Sequence, residues 1–279
     1  MTIERARRPG PSVRTRVVEH AVQGQEATEV AREDRLVTEE PLEIRVRVGA
    51  LDPRRAWVTM RTPGHDFELA AGWLVNEGIA TVGSLGQVAY CTDDDLDPEQ
   101  EFNVVTVTLR GAADLPHRHT AASAGSSACG VCGKDSVADA LQVRSAAPWS
   151  GERPGADVVR RLPDALRERQ SLFARTGGVH AAALADADGT LLVVREDVGR
   201  HNAVDKVVGA RVLAGDPPAA ACLVLSGRVG FELVQKAAAS GIGYIVAVGA
   251  PTSLAARLAQ EAGIELWGFT SPRRSVNYC

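Results

Sequence analysis

Cys129 and Cys132 are separated by Gly130 and Val131 and followed by Gly133 and Lys134. Two thiols at this spacing serve as half of a metal site, as a dithiol redox couple, or as a nucleophile that carries sulfur. A structural zinc site needs four ligands. The remaining cysteines, Cys91, Cys222 and Cys279, stand alone, and only His117 and His119 lie near the pair. A thioredoxin-like pair follows a strand directly, whereas this one follows the Ala/Ser/Gly-rich residues 120–128. The backbone N–H of Gly133 and the cation of Lys134, at the start of an expected helix, both favour thiolate over thiol.

The densest polar stretch is Glu196-Asp197-Val198-Gly199-Arg200-His201-Asn202-Ala203-Val204-Asp205-Lys206. It joins a strand end to a helix start, where free N–H groups, Arg200, His201 and a carboxylate would meet a ligand; the plainer alternative is a polar loop capping a helix. Ser226-Gly227-Arg228 and Gly249-Ala250-Pro251-Thr252-Ser253 fall at C-terminal ends of expected parallel strands, where open α/β sheets bind ligands. Thr252 or Ser253 also suits a helix cap. Gly178 could approach a ligand closely beside His180, which is equally readable as a satisfied core histidine. Arg273-Arg274 could grip phosphate or sit solvated. Neither a dinucleotide nor a P-loop fingerprint occurs at these turns. His180-Ala181-Ala182 has alanine where the H-x-E motif of zinc deaminases carries its general acid/base.

The elements that must position these groups follow from composition and pattern. The 279 residues are 45% hydrophobic, 24% charged and 4% aromatic, with a net charge of −4. That is a globular composition with a core of Ala, Val and Leu, and it argues against general nucleic-acid binding. Unframed cysteines fit a reducing compartment, and no stretch has the apolar length of a membrane span. Cytoplasmic residence is the expectation. Residues 1–35 mix Arg and Glu without a period and predict a disordered tail. Residues 36–111 predict a small α+β domain: Leu42, Ile44, Val46 and Val48 alternate with charge as a half-buried strand, and 56–60, 87–91 and 102–109 read as further strands. Phe67, Leu69, Ala70, Trp73 and Leu74 form the apolar face of a helix over 66–76. Residues 112–134 predict a flexible arm carrying the thiols, followed by a helix over 135–143. A helical stretch then runs to Ala174, restarted at Pro163. Beyond Gly177 come a hairpin (179–184 and 190–194) and alternating helices and strands ending with a strand over 264–269. Residues 135–279 thus form a larger α/β domain with a mixed, largely parallel sheet.

These blocks together resemble the formate dehydrogenase accessory sulfurtransferases (the FdhD family), from about Glu39 onward. The resemblance is carried by Glu40-Pro41-Leu42, Met60-Arg61-Thr62-Pro63-Gly64-His65-Asp66, Cys129-Gly130-Val131-Cys132-Gly133 and Thr176-Gly177-Gly178-Val179-His180-Ala181-Ala182-Ala183. It continues through 196–206, Ser226-Gly227-Arg228 and Ala250-Pro251-Thr252-Ser253-Leu254-Ala255. It implies a larger domain similar to cytidine deaminase in fold. It also implies a sulfurtransferase that accepts sulfur from a cysteine desulfurase as a cysteine persulfide. The sulfur then passes to the molybdenum bis(molybdopterin guanine dinucleotide) cofactor that formate dehydrogenase requires. By resemblance Cys129 carries the persulfide and Cys132 assists. The cofactor-binding segment falls on Phe269, Thr270, Ser271, Pro272, Arg273 and Arg274. Gly178, His180, Asp197, Gly199, Arg200, His201, Lys206, Ser226, Gly227 and Arg228 are expected to complete that site. The cofactor would be a substrate, with no permanently bound metal. Partners would be the desulfurase and formate dehydrogenase, with neither nucleic acid nor membrane; homodimerisation stays open. The rival readings are a cofactor-binding chaperone without sulfur transfer and a zinc-dependent hydrolase.

Overall fold

The computed structural model describes residues 8–23, 26–91, 96, 101–111, 146–147 and 149–278. Cys129, Cys132, Cys279, the arm over 112–134 and the helix expected over 135–143 lie outside the described residues.

Strands β1 (Ser12–Gln23) and β2 (Glu26–Val37) pair antiparallel as a two-stranded sheet. The expectation of a disordered tail over 1–35 is corrected here. The stretch lacks a buried face, so period gave no signal, but its charges complement one another between strands. Arg16 faces Glu33 and His20 faces Glu29 in register, and Arg32 pairs with Glu19. Cross-strand pairs of this kind are the stabilising unit of a hairpin.

Strands β3 (Glu40–Val48), β4 (Arg54–Arg61), β5 (Leu85–Tyr90) and β6 (Val104–Leu109) form a sheet of order β4-β3-β6-β5. Leu42, Ile44 and Val46 point to one face with Val105, Val107 and Leu109, and helix α1 (Asp66–Asn76) covers them through Leu69, Trp73 and Leu74. The expected alternation of β3 is what builds this layer.

A six-stranded sheet of order β12-β11-β10-β9-β7-β8 forms the larger part. Its strands are β7 (His180–Ala185), β8 (Leu191–Asp197), β9 (Cys222–Leu225), β10 (Tyr244–Ala247), β11 (Glu265–Ser271) and β12 (Arg274–Asn277). The class is mixed α/β, as expected, but the expectation of a largely parallel sheet is corrected, because two of its five strand pairings are parallel. The parallel pairings are β9–β10 and β10–β11; β7–β8, β7–β9 and β11–β12 are antiparallel. Helices α4 (Arg200–Leu213), α5 (Phe231–Ala239) and α6 (Ser253–Glu261) pack on one face. Helix α2 (Ala156–Glu168) packs on the other through Val159, Leu162 and Leu166. The central strands are buried on both faces, hence their continuous apolar runs.

Two boundaries differ from expectation. Helix α2 runs through Pro163 without restarting. A proline in a helix interior costs about 3 kcal/mol, and burial of Val159, Leu162 and Leu166 to 0–1% exposure offsets it. The chain breaks instead at Gln170 and resumes as α3 (Ser171–Thr176). The sheet also gains β12, folded back on β11 after Pro272-Arg273.

The two sheets meet helix to helix. A Cβ on Gly72 of α1 would stand 1.8 Å from the Asp205 carbonyl oxygen, and one on Gly209 of α4 would stand 1.8 Å from that of Glu68. Val208 and Val212 of α4 consequently belong to the core of the smaller sheet. No described helix is long and apolar enough to cross a membrane.

Candidate functional site

The polar blocks first hold each other. Arg61 is fully buried and donates to both Asp66 carboxylate oxygens (2.9 and 3.2 Å), to the Phe102 carbonyl (3.1 Å) and to Asn103 Oδ1 (2.9 Å). His65, in the left-handed region at φ 58°, turns the chain so that Asp66 meets Arg61. Next in sequence, Thr62 reaches the other block. Its N–H donates to Asp197 Oδ2 (3.2 Å), its hydroxyl accepts from the Val198 N–H (3.0 Å), and its carbonyl accepts from Lys206 Nζ (2.9 Å).

Asp197 and Lys206 were expected to face a ligand; the structure places them inside. They pair at 2.7 Å with 0% and 1% of their side chains exposed. Asp197 Oδ1 also accepts from the Gly199 N–H (2.8 Å) and Asn202 Nδ2 (3.1 Å). A buried ion pair is tolerated when its geometry is good and its remaining lone pairs are filled, and both conditions hold. Gly199 serves this turn by donating its N–H. Glu196 turns the other way, accepting from the N–H groups of Leu172 (2.8 Å) and Phe173 (2.7 Å). Its carboxylate therefore fixes the start of α3 against β8.

That arrangement leaves a cleft of about 650 Å³ beyond the C-terminal ends of the sheet's parallel strands. Its lining includes Arg167, Gln170, Phe173, Val198 and Val248, together with Gly178, His180, Ser226, Thr270 and Ser271. The last five polar and glycine positions came from widely separated motifs, and the fold gathers them. Strand-end placement does this: Ser226 accepts the Ala181 N–H (2.8 Å), locking the turn after β9 to β7. Gly227 lies under the His180 ring, where a Cβ would come within 3.2 Å of Nδ1.

His180 titrates below the usual histidine range because burial disfavours its charged form, and the charges of Arg200 and His201 add to this against an opposing pull from Asp197. The cleft thus presents a neutral imidazole at neutral pH, with one donor and one acceptor nitrogen. His201 is buried, its Nε2 2.8 Å from Glu232 Oε2. Arg200, half-buried, opens α4. Four polar atoms near this region are buried with no hydrogen-bond partner among the described residues: Arg200 Nε, Glu232 Oε1, Gln170 Nε2 and Thr270 Oγ1.

Arg228, Pro272, Arg273 and Arg274 are exposed and do not line the cleft. Phe269 is 42% exposed at φ 49°, with the Arg274 guanidinium 5.2 Å from its ring centroid. The left-handed region is uncommon for a bulky residue, and here it coincides with the register shift between Gly268 and Ser271 in the β11–β12 pair. Cys222 is buried, and burial pushes its thiol up to about 12, which makes it packing.

Arg167, Gln170 and Phe173 were missed. The one signal available in the sequence was the break between two helices, and Pro163 drew it seven residues too early.

Comparison with known proteins places these features in context. Residues 37–279 match the FdhD/NarQ family. A protein of Nocardia farcinica named sulfur carrier protein FdhD is 45% identical over 246 residues, covering 87% of this chain and 85% of its own. Proteins of the same name from Streptomyces coelicolor and Mycobacterium tuberculosis are 46% and 44% identical, covering 85% and 86% of this chain and 84% and 88% of theirs. A crystal structure from Desulfotalea psychrophila, provisionally described as a formate dehydrogenase accessory protein, superposes with a TM-score of 0.68. It is 22% identical and covers 95% of this chain and 96% of its own, a likeness of fold.

Proposed function

The chain belongs to the FdhD/NarQ family, and from that premise we propose that it is a sulfur carrier serving formate dehydrogenase, with Cys129 as its persulfide-bearing thiol. The observation that carries this reading is the identity of about 45% to relatives named sulfur carrier protein, over a span that includes Cys129-Gly130-Val131-Cys132.

The chemistry proceeds by thiol exchange. The Cys129 thiolate attacks the terminal sulfur of a cysteine desulfurase persulfide. The donor's S–S bond breaks, a new one forms on Cys129, and the desulfurase cysteine leaves as thiolate. Cys132 assists transfer from Cys129 onward. The acceptor is the molybdenum bis(molybdopterin guanine dinucleotide) cofactor, bound as substrate. A group that must visit a desulfurase and then a large cofactor is better carried on a connecting segment than fixed within a sheet.

The cleft supports the acceptor half of this reading. Neutral His180, Ser226, Thr270 and Ser271 offer hydrogen bonds, and Arg200 lies near His180. Outside the cleft, Arg228, Arg273 and Arg274 offer charge for phosphate groups. The protein acts in a reducing compartment, the cytoplasm, where a thiol can stay free between transfers.

The test is complementation of a strain lacking this protein, read as formate dehydrogenase activity. Wild type is expected to restore activity and Cys129→Ala to leave it at background. Full activity from Cys129→Ala would mean a chaperone that binds the cofactor without transferring sulfur.

A further inference from the structure

We infer that the outer edge of β1 receives an extended, acidic segment of a partner protein as a third strand. Strand β1 lies ahead of residues 37–279, the span matched to the family, and this role is separate from whatever the cleft binds.

Strands β1 and β2 pair only with each other, so each keeps one edge with no neighbouring strand among the described residues. None of their described side chains is buried. A two-stranded hairpin on its own is marginally stable in water, and a long exposed edge is a template for another chain. The element therefore lacks a third strand. The charges say what that strand carries. Along most of the hairpin opposite charges meet: Arg32 pairs with Glu19, and the His20 ring lies 3.2 Å from Glu29.

At the root this matching fails. Arg14 lies directly opposite Arg35 in register, and like charges so placed destabilise a sheet. Arg16, two residues on and so on the same face, is opposite Glu33 but forms no ion pair among the described residues. Glu33 instead lies 3.8 Å from Arg14. Three arginines thus share one glutamate, and Arg14 and Arg16 are exposed beside the free edge. Val18 follows them on that face, 56% exposed. A strand added here would set two acidic residues and then an apolar one at alternate positions. A polypeptide meets both demands at once, by main-chain bonds to the edge and carboxylates to the arginines; a phosphate group would leave the edge unpaired. The same face also reaches the cleft. A Cβ on Gly178, which lines the cleft, would stand 3.0 Å from Cγ1 of Val37, two residues beyond Arg35. A partner docked on β1 is accordingly held near the cleft.

Fluorescence anisotropy on the full chain tests this with short, end-capped, fluorescein-labelled peptides. In the first, glutamate alternates with threonine. In the second, lysine replaces glutamate. The third is the first N-methylated at every residue, so that it keeps its charge and loses its backbone donors. Wild type is expected to bind the glutamate peptide, to ignore the lysine peptide, and to bind the N-methylated one at least roughly tenfold more weakly, the scale of a few edge hydrogen bonds. Joint replacement Arg14→Ala and Arg16→Ala is expected to weaken the glutamate peptide by about tenfold, the scale of two exposed ion pairs. Joint replacement Arg14→Glu and Arg16→Glu is expected to reverse the preference toward the lysine peptide, a gain that a misfolded hairpin would not produce. Failure of wild type to bind the glutamate peptide would overturn the proposal, as would equal binding of its N-methylated form. Unaltered binding in the alanine variant, no reversal in the glutamate variant, or tighter binding of a single-stranded oligonucleotide by wild type would each overturn it too.

Discussion

Lys206 lies buried against Asp197, 2.7 Å from its carboxylate. Removing the carboxylate would leave the Lys206 amine with the Thr62 carbonyl as its one remaining partner among the described residues. Asp197→Ala is therefore expected to destabilise the fold by about 3–5 kcal/mol, the usual consequence of breaking a buried pair from one side. A urea unfolding midpoint near that of wild type would show that the pair is not structural. Glu68 gives the corresponding prediction for pH. Burial works against its charged form, but hydrogen bonds from Arg195 and His65 outweigh burial and lower it from 4.5 to about 2. A depressed carboxylate stabilises the fold above its unfolded value, and that contribution is lost as pH falls from about 4.5 toward about 2. Unfolding midpoints measured across that window should fall more steeply for wild type than for Glu68→Gln. Parallel curves would contradict the assignment.

Helices α1 and α4 touch backbone to backbone, so their glycines are chosen for absent volume. Replacing a helical glycine by alanine ordinarily gains about 1 kcal/mol of helix propensity. At Gly72 the added Cβ would lie 1.8 Å from the Asp205 oxygen, a contact that cannot be met without separating the helices. Overpacking then wins, and Gly72→Ala is expected to cost about 3 kcal/mol or more, seen as a lower thermal midpoint. A raised midpoint would mean the helices are not in contact there. The legible elements were those whose pattern is local. The alternation of Leu42, Ile44 and Val46 and the apolar face of 66–76 each announced a buried side, and both elements formed as expected. The β1–β2 hairpin was illegible because its cohesion lies in pairs such as Arg32 with Glu19, made between strands and invisible along either one.

At the scale of the whole molecule, the same distinction separates the parts of the candidate site. Gly178, His180, Ser226, Thr270 and Ser271 could be anticipated, since each sits near a strand end and strand ends converge in an α/β sheet. Asp197 and Lys206 were misassigned because the partner that explains them, Thr62, is more than a hundred residues away in the chain. A polar cluster beside a glycine looks the same whether it meets a ligand or another part of the protein. The joint thus formed between the two sheets also runs through Asn76, which donates to Asp205 (2.7 Å) and accepts from Ser240 (2.7 Å), while Lys236 Nζ donates to Asp205 (2.8 Å). The smaller sheet and the cleft-bearing sheet are accordingly held together by buried polar contacts as well as by helix packing.

Intact-protein mass spectrometry after incubation with a cysteine desulfurase and cysteine tests the central claim most directly. The account predicts that wild type gains the mass of one sulfur atom, removable by a thiol reductant, and that Cys129→Ala gains none. Wild type that stays unmodified beside an active desulfurase, or Cys129→Ala that gains sulfur as wild type does, would contradict it.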